Sequence, residues 1–208
     1  MRDTEERGPI GLQPPLRLAT RKDARALAEL TDYAGHGIPG YLWSRSVKEG
    51  QLPIEVGIER VLREEANFSY RNAVVAEVDG KVAAALLAYR LPEHSDVNLD
   101  ELPDFLRPLE ELEQKVPGTY YINILAAYPE YRGQGLGTSL LEAAHTLASE
   151  AGCNELSLEV FEQNEGAVRL YERHGYRKIA RLPVAPHPIY PYEGDIVLMT
   201  RSVSSFPT

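Results

Sequence analysis

Residues 119–152 read TYYINILAAYPEYRGQGLGTSLLEAAHTLASEAG, an apolar run that ends in a glycine-rich turn and passes directly into a helical pattern. No other passage constrains the fold as strongly. The run TYYINILAAY (119–128) has the length and the aromatic and β-branched content of a buried strand. Leu140, Leu141, Ala144, Leu147 and Ala148 then recur at helical spacing until Gly152 stops them. Between strand and helix stand Gly133, Gly135 and Gly137. Glycine weakens helix initiation, so its presence there implies that something approaches the backbone too closely for a side chain. The passage is strand, glycine loop, helix, and it leaves the unpaired N–H groups and the positive dipole end of a helix beside the end of a strand.

The flanking sequence supplies more of the same elements. LRLAT (16–20) reads as a short strand, and Thr20 with Asp23 signals a helix start, with Ala26, Leu27, Leu30 and Tyr33 on one face. GHGIPGYLW (35–43) interrupts that helix with three glycines and a proline. Ile54, Ile58, Val61 and Leu62 predict an amphipathic helix over about 53–66. NAVVAEV (72–78) and KVAAALLAY (81–89) form an antiparallel hairpin through Asp79-Gly80. Residues 91–118 are acidic and punctuated by proline, an excursion with a short helix near Phe105, Leu109 and Leu112. Residues 155–161 are a strand, and Asn164 caps a helix presenting Ala167, Leu170, Tyr171 and His174 before Gly175. Residues 176–182 and 195–201 complete the sheet. The expected fold is one α/β (α+β) domain over 16–203, a mixed, mostly antiparallel sheet of six or seven strands flanked by helices, with flexible tails at 1–15 and 204–208.

Charge and composition remove several function classes. The 208 residues carry a net charge of −9, whereas nucleic acids and anionic membranes call for a basic face. VAAALLAY (82–89), the longest apolar run, is far too short to span a bilayer. The one cysteine, Cys153, forms no intrachain disulfide and suits a cytoplasmic protein with a buried, inert thiol. No His, Cys and carboxylate spacing suggests a metal.

A glycine turn that opens a helix suits a pyrophosphate. The P-loop is excluded, because no lysine precedes Thr138. The dinucleotide fingerprint lacks its third glycine after Gly133 and Gly135, and no early parallel βαβ unit surrounds it. What remains is Arg132-x-x-Gly135-x-Gly137. Together with ILAAYPEYRGQGLGTSLL and LSLEVFEQNEGAVRLYERHGYRKI, in register over residues 120–179, it resembles the GCN5-related N-acetyltransferases (GNAT).

That resemblance implies an acetyl-CoA-dependent N-acetyltransferase acting on a primary amine by direct attack in a ternary complex; the alternative is a non-catalytic acyl-CoA-binding or sensing module on the same fold. It implies that Gly133 and the backbone of Gln134, Gly135, Leu136, Gly137 and Thr138 hold the pyrophosphate, flanked by Arg132. Leu125, Ala126 and Ala127 would pair with the pantetheine arm and polarise the carbonyl, with Asn164 and Ala167 also against the cofactor. Tyr171, in N-x-x-A-x-x-L-Y-x-x-x-G, would protonate the thiolate. Glu159 stands twelve positions before Tyr171, as in bacterial enzymes that acetylate ribosomal-protein N termini, and is the first candidate base. Many family members place a base glutamate on the preceding strand, where this chain reads Tyr120, Tyr121, Ile122, Asn123, so His36 and Glu77 also stand as candidates. Segments 35–66, 91–118 and 183–194 match nothing general in the family and are expected on the acceptor side, with His36, Tyr41, Trp43 and Tyr190 as acceptor contacts. The acceptor is a small amine or a peptide N terminus, and a homodimer is compatible with this reading.

Overall fold

In the computed structural model, which describes residues 11–190 and 192–203, β1 (Leu16–Leu18) leads through a short turn into α1 (Ala24–Ala34). Then come α2 (Ile38–Ser44), α3 (Pro53–Val61) and the hairpin β2 (Ala73–Val78) and β3 (Lys81–Arg90). The excursion contributes α4 (Arg107–Glu113), followed by β4 (Tyr120–Ala127) and α5 (Leu136–Glu150). β5 (Glu155–Phe161), α6 (Glu165–Arg173), β6 (Arg177–Pro183) and β7 (Asp195–Ser202) complete the order. The strands form one seven-stranded sheet in the order β1-β2-β3-β4-β5-β7-β6. Every neighbouring pair is antiparallel except β4 and β5.

Alternation along each strand sorts the core onto two faces. Leu86, Ile122, Leu158 and Met199 pack beneath Leu140, Leu141 and Val168 of α5 and α6. The opposite residues divide in two. Val75, Ala85 and Leu87 pack under α1 and α3, whereas Tyr121, Phe161 and Leu198 pack under Leu112 of α4.

The parallel pair is short. β4 and β5 are in register only from Tyr120–Ile122 against Leu156–Leu158, after which they part. A buried hydroxyl pair, Thr119 Oγ1 and Ser157 Oγ at 2.6 Å, holds the closed end. Thr119 already donates to the Val116 carbonyl at 2.8 Å, so Ser157 is the donor in that pair. On its other side β4 stays paired with β3 through Ala127, with a bulge that leaves Asn123 unmatched between Ile122 and Ile124.

Several local expectations are corrected. Of the tails, residues 1–10 and 204–208 lie outside the described residues, but Leu12 packs on the core and the Pro15 carbonyl accepts the Glu77 N–H at 2.8 Å. The buried stripe of α1 is Ala24, Leu27, Ala28, Leu30 and Thr31, and Tyr33 is 48% exposed. GHGIPGYLW is a break only at Gly35 to Gly37, where His36 and Gly37 take positive φ of 52° and 88°; Pro39, with its fixed φ, then sits in the first turn of α2. α3 ends at Val61 rather than near 66, where the chain turns to give Glu64 to Arg21 at 2.7 Å and Arg71 at 2.6 Å.

Trp43 was expected at the acceptor and is instead core, 3% exposed and wedged against Gly57 of α3. A Cβ on Gly57 would lie 2.6 Å from its ring. Alanine there gains about 1 kcal/mol of helix propensity but overpacks by typically 1–3 kcal/mol. Gly57→Ala should therefore lower stability in urea unfolding, and a gain of about 1 kcal/mol would show that Trp43 yields freely.

Candidate active site

The three loop glycines answer to different constraints. Gly133 and Gly135 hold positive φ of 75° and 82°, with nothing within 4 Å of where a Cβ would stand. Gly137 is helical, and its Cβ would come within 3.1 Å of Leu170 Cδ2 on α6. Backbone conformation and helix packing therefore account for glycine inside the chain, while the space beside Gly133 and Gly135 stays open. The first backbone bond of α5 runs from Ser139 N–H to the Gly135 carbonyl at 3.1 Å, leaving the N–H groups of Leu136, Gly137 and Thr138 ahead of it. Arg132 stands beside them, its Nε donating to the Ala127 carbonyl at 3.3 Å.

From this loop a cleft of about 1130 Å³ runs into the gap between β4 and β5. One wall includes Leu125, Ala126 and Ala127 on the parted edge of β4. Across the gap α6 supplies Ala167 and Tyr171, and its N-cap Asn164 accepts the Ala167 N–H at 3.3 Å. Gln134 is absent from the wall, its side chain donating instead to the Glu130 carbonyl at 3.2 Å.

Glu159 and Tyr171 reach this gap from opposite faces of the sheet. Tyr171 belongs to the core beneath α5, and Glu159 alternates with Leu158 and Val160 of that core, so it projects under α4. Burial alone raises the Tyr171 hydroxyl to about 12, so it stays protonated and able to donate. The Glu159 carboxyl is raised well above the usual range, first by burial, then by the like charges of Glu113 and Glu110, against a hydrogen bond from Tyr121. Its Oε1 is shielded from solvent and has no hydrogen-bond partner. Burial and Glu110 also push Glu113 up to about 7.

Of the other expected residues, His36 lines the cleft, its ring 5.1 Å from Tyr192 and 5.7 Å from Phe161, and burial lowers its pKa. Glu77 does not reach the cleft, because Arg17 holds it in an ion pair at 2.7 Å. Tyr41 and Tyr190 stand behind the wall: Tyr41 packs edge-on against Phe105 and His187, and the Tyr190 hydroxyl donates to the Phe105 carbonyl. His174, at the end of α6, is half-buried with Nε2 3.2 Å from Thr138 Oγ1. The residues missed are Tyr121, Asn123, Glu110, Glu113 and Tyr192, which all line the cleft. Asn123 carried a signal, a lone amide in the apolar run YYINILAA. Among the described residues no cluster of potential metal ligands occurs, and no helix is long and apolar enough to cross a membrane.

The model of the acetyltransferase (GNAT) family matches residues 41–176, and the chain belongs to that family. It is 42% identical over 62 residues to N-alpha-acetyltransferase 30 of Schizosaccharomyces pombe, 30% of this chain and 41% of that protein. It is 36% identical over 59 residues to a pig thialysine N-epsilon-acetyltransferase, 28% of this chain and 35% of that one. The chain thus spans less than half the length of these relatives. Among solved structures, one acetyltransferase superposes with TM-score 0.63 at 20% identity, over 91% of this chain and 99% of the other. A putative acetyltransferase from Salmonella typhimurium, solved with its cofactor acetyl-CoA, gives 0.57 at 18%, over 93% and 95%.

The carboxyl at Glu113 has a measurable cost. It holds its proton more tightly folded than unfolded, so stability falls as pH rises from its ordinary 4.5 to about 7 and stays low above. Glu113→Gln should stabilise the fold at pH 8 by up to about 3 kcal/mol, and by less than about 1 kcal/mol at pH 5. Equal effects at both pH values in chemical denaturation would show that Glu113 is solvated.

Proposed function

We propose that the chain is an N-acetyltransferase that moves an acetyl group from acetyl-CoA to a primary amine by direct attack in a ternary complex. The observation that carries the reading is the convergence of Glu159 and Tyr171, from opposite faces, on one gap in the sheet. The open space at Gly133 and Gly135, the N–H groups of Leu136 to Thr138 and the Arg132 guanidinium fit a pyrophosphate. The edge of β4 at Leu125 to Ala127 that β5 leaves without a strand partner suits the amides of a pantetheine arm, with Asn164 and Ala167 opposite. When bound, acetyl-CoA supplies an activated thioester.

The chain's own groups then manage protons. A primary amine is mostly protonated at neutral pH, its pKa being about 10.4. In this reading Glu159, which lines the cleft, accepts that proton once it is ionised. An approaching ammonium favours the ionised carboxylate and offsets the burial that raises its pKa. Tyr171, at about 12, lies well above a free thiol at about 8.5, so full proton transfer to a departing thiolate runs uphill. A hydrogen bond from its hydroxyl to the developing charge is the larger contribution, about ten- to a hundredfold in rate.

The test is thiol release from acetyl-CoA with a panel of amines, followed by Tyr171→Phe. That variant keeps the packed ring and should lose about ten- to a hundredfold in kcat, with acetyl-CoA affinity and unfolding midpoint little changed. Full kcat with chemistry rate-limiting would return Tyr171 to a packing role. Acetyl-CoA binding by the wild type without thiol release on any amine would favour a sensing module.

A further inference from the structure

The half of the cleft beneath α4 gathers three carboxyl groups without an internal counter-charge. Glu110 and Glu113 are three residues apart on α4, hence on one helical face, and both line the cleft with Glu159. Among the described residues none of the three enters an ion pair; Glu110 bonds only the neutral Ser95, at 3.0 Å, and Gln114, at 3.1 Å. The lining cations, Arg132 and Arg173, belong to the glycine loop and α6. Glu159, the third acid, lines the same cleft, and its Oε1 is shielded from solvent and has no hydrogen-bond partner. An unpaired buried acceptor of this kind is costly, and a donor that reaches it offsets the cost.

From this we infer that the acceptor is a linear diamine or polyamine, its reacting amine at Glu159 and its distal ammonium held between Glu110 and Glu113. The inference rests on the acetyltransferase reading and names its acceptor. Leu106, Leu109 and Phe161 lie along the same wall, suited to a methylene chain and offering little to the hydroxyls of an amino sugar. A free amino acid would set its own carboxylate against three others.

The test compares 1,4-diaminobutane with 1-aminobutane at pH 7.5, by acetyl transfer and by calorimetric titration of the protein loaded with coenzyme A. The diamine should be favoured at least tenfold in kcat/KM and in Kd. Glu113→Gln should reduce that preference about tenfold, and Glu110→Gln gives the same readout if the first variant folds poorly. Equal use of both amines by the wild type overturns the diamine assignment and leaves the acetyltransferase intact. A diamine preference in binding that Glu113→Gln removes, with no transfer to either amine, supports the cation pocket and overturns the transferase reading. No preference in binding or transfer overturns the pocket.

Discussion

Everything at the site depends on two parallel strands ceasing to pair. β4 and β5 share hydrogen bonds only at Tyr120–Ile122 and Leu156–Leu158, and beyond them the backbone of a central strand is left open on one side in the middle of the protein. Buried N–H and C=O groups are almost always paired, so a central edge of this kind needs an occupant or water. The closed end is fixed by the Thr119–Ser157 hydroxyl pair, and the paired side by the register of β3 with β4. The opening is therefore a permanent feature of the fold.

Because the opening lies within the sheet, side chains from both faces meet in it. Tyr171 arrives with the core of α5 and α6, and Glu159 with that of α4. Their electrical surroundings differ accordingly. Helix N–H groups and arginines lie toward the glycine loop, and carboxylates lie toward α4. An anionic donor and a cationic acceptor would each meet a favourable end, and repulsion among Glu110, Glu113 and Glu159 is relieved by holding protons in the free protein or by binding a cation.

The sheet was legible because its signals were local. Asp79-Gly80 closes the β2–β3 hairpin, and the apolar runs of β3 and β4, bounded by turn signals, read as buried strands. The glycine loop was also visible, although the space a ligand would need lies at Gly133 and Gly135 while Gly137 serves packing. Residues on the intervening segments were harder to place. Trp43 and Tyr190 look like ligand contacts in a sequence, yet a large aromatic is as often a core wedge, and only the docking of α2 on α3 shows that Trp43 is one. Glu110 and Glu113 read as one more solvated acidic stretch, since nothing local reveals that α4 lies over β5 and turns them inward.

Amide hydrogen exchange with and without acetyl-CoA tests the parted strands as the donor's seat most directly. The account predicts slowed exchange at residues 125–127, on the open edge of β4, and at 136–138, in the first turn of α5, with β1 and β2 unchanged. Protection confined to other elements, or none at saturating acetyl-CoA, would contradict it.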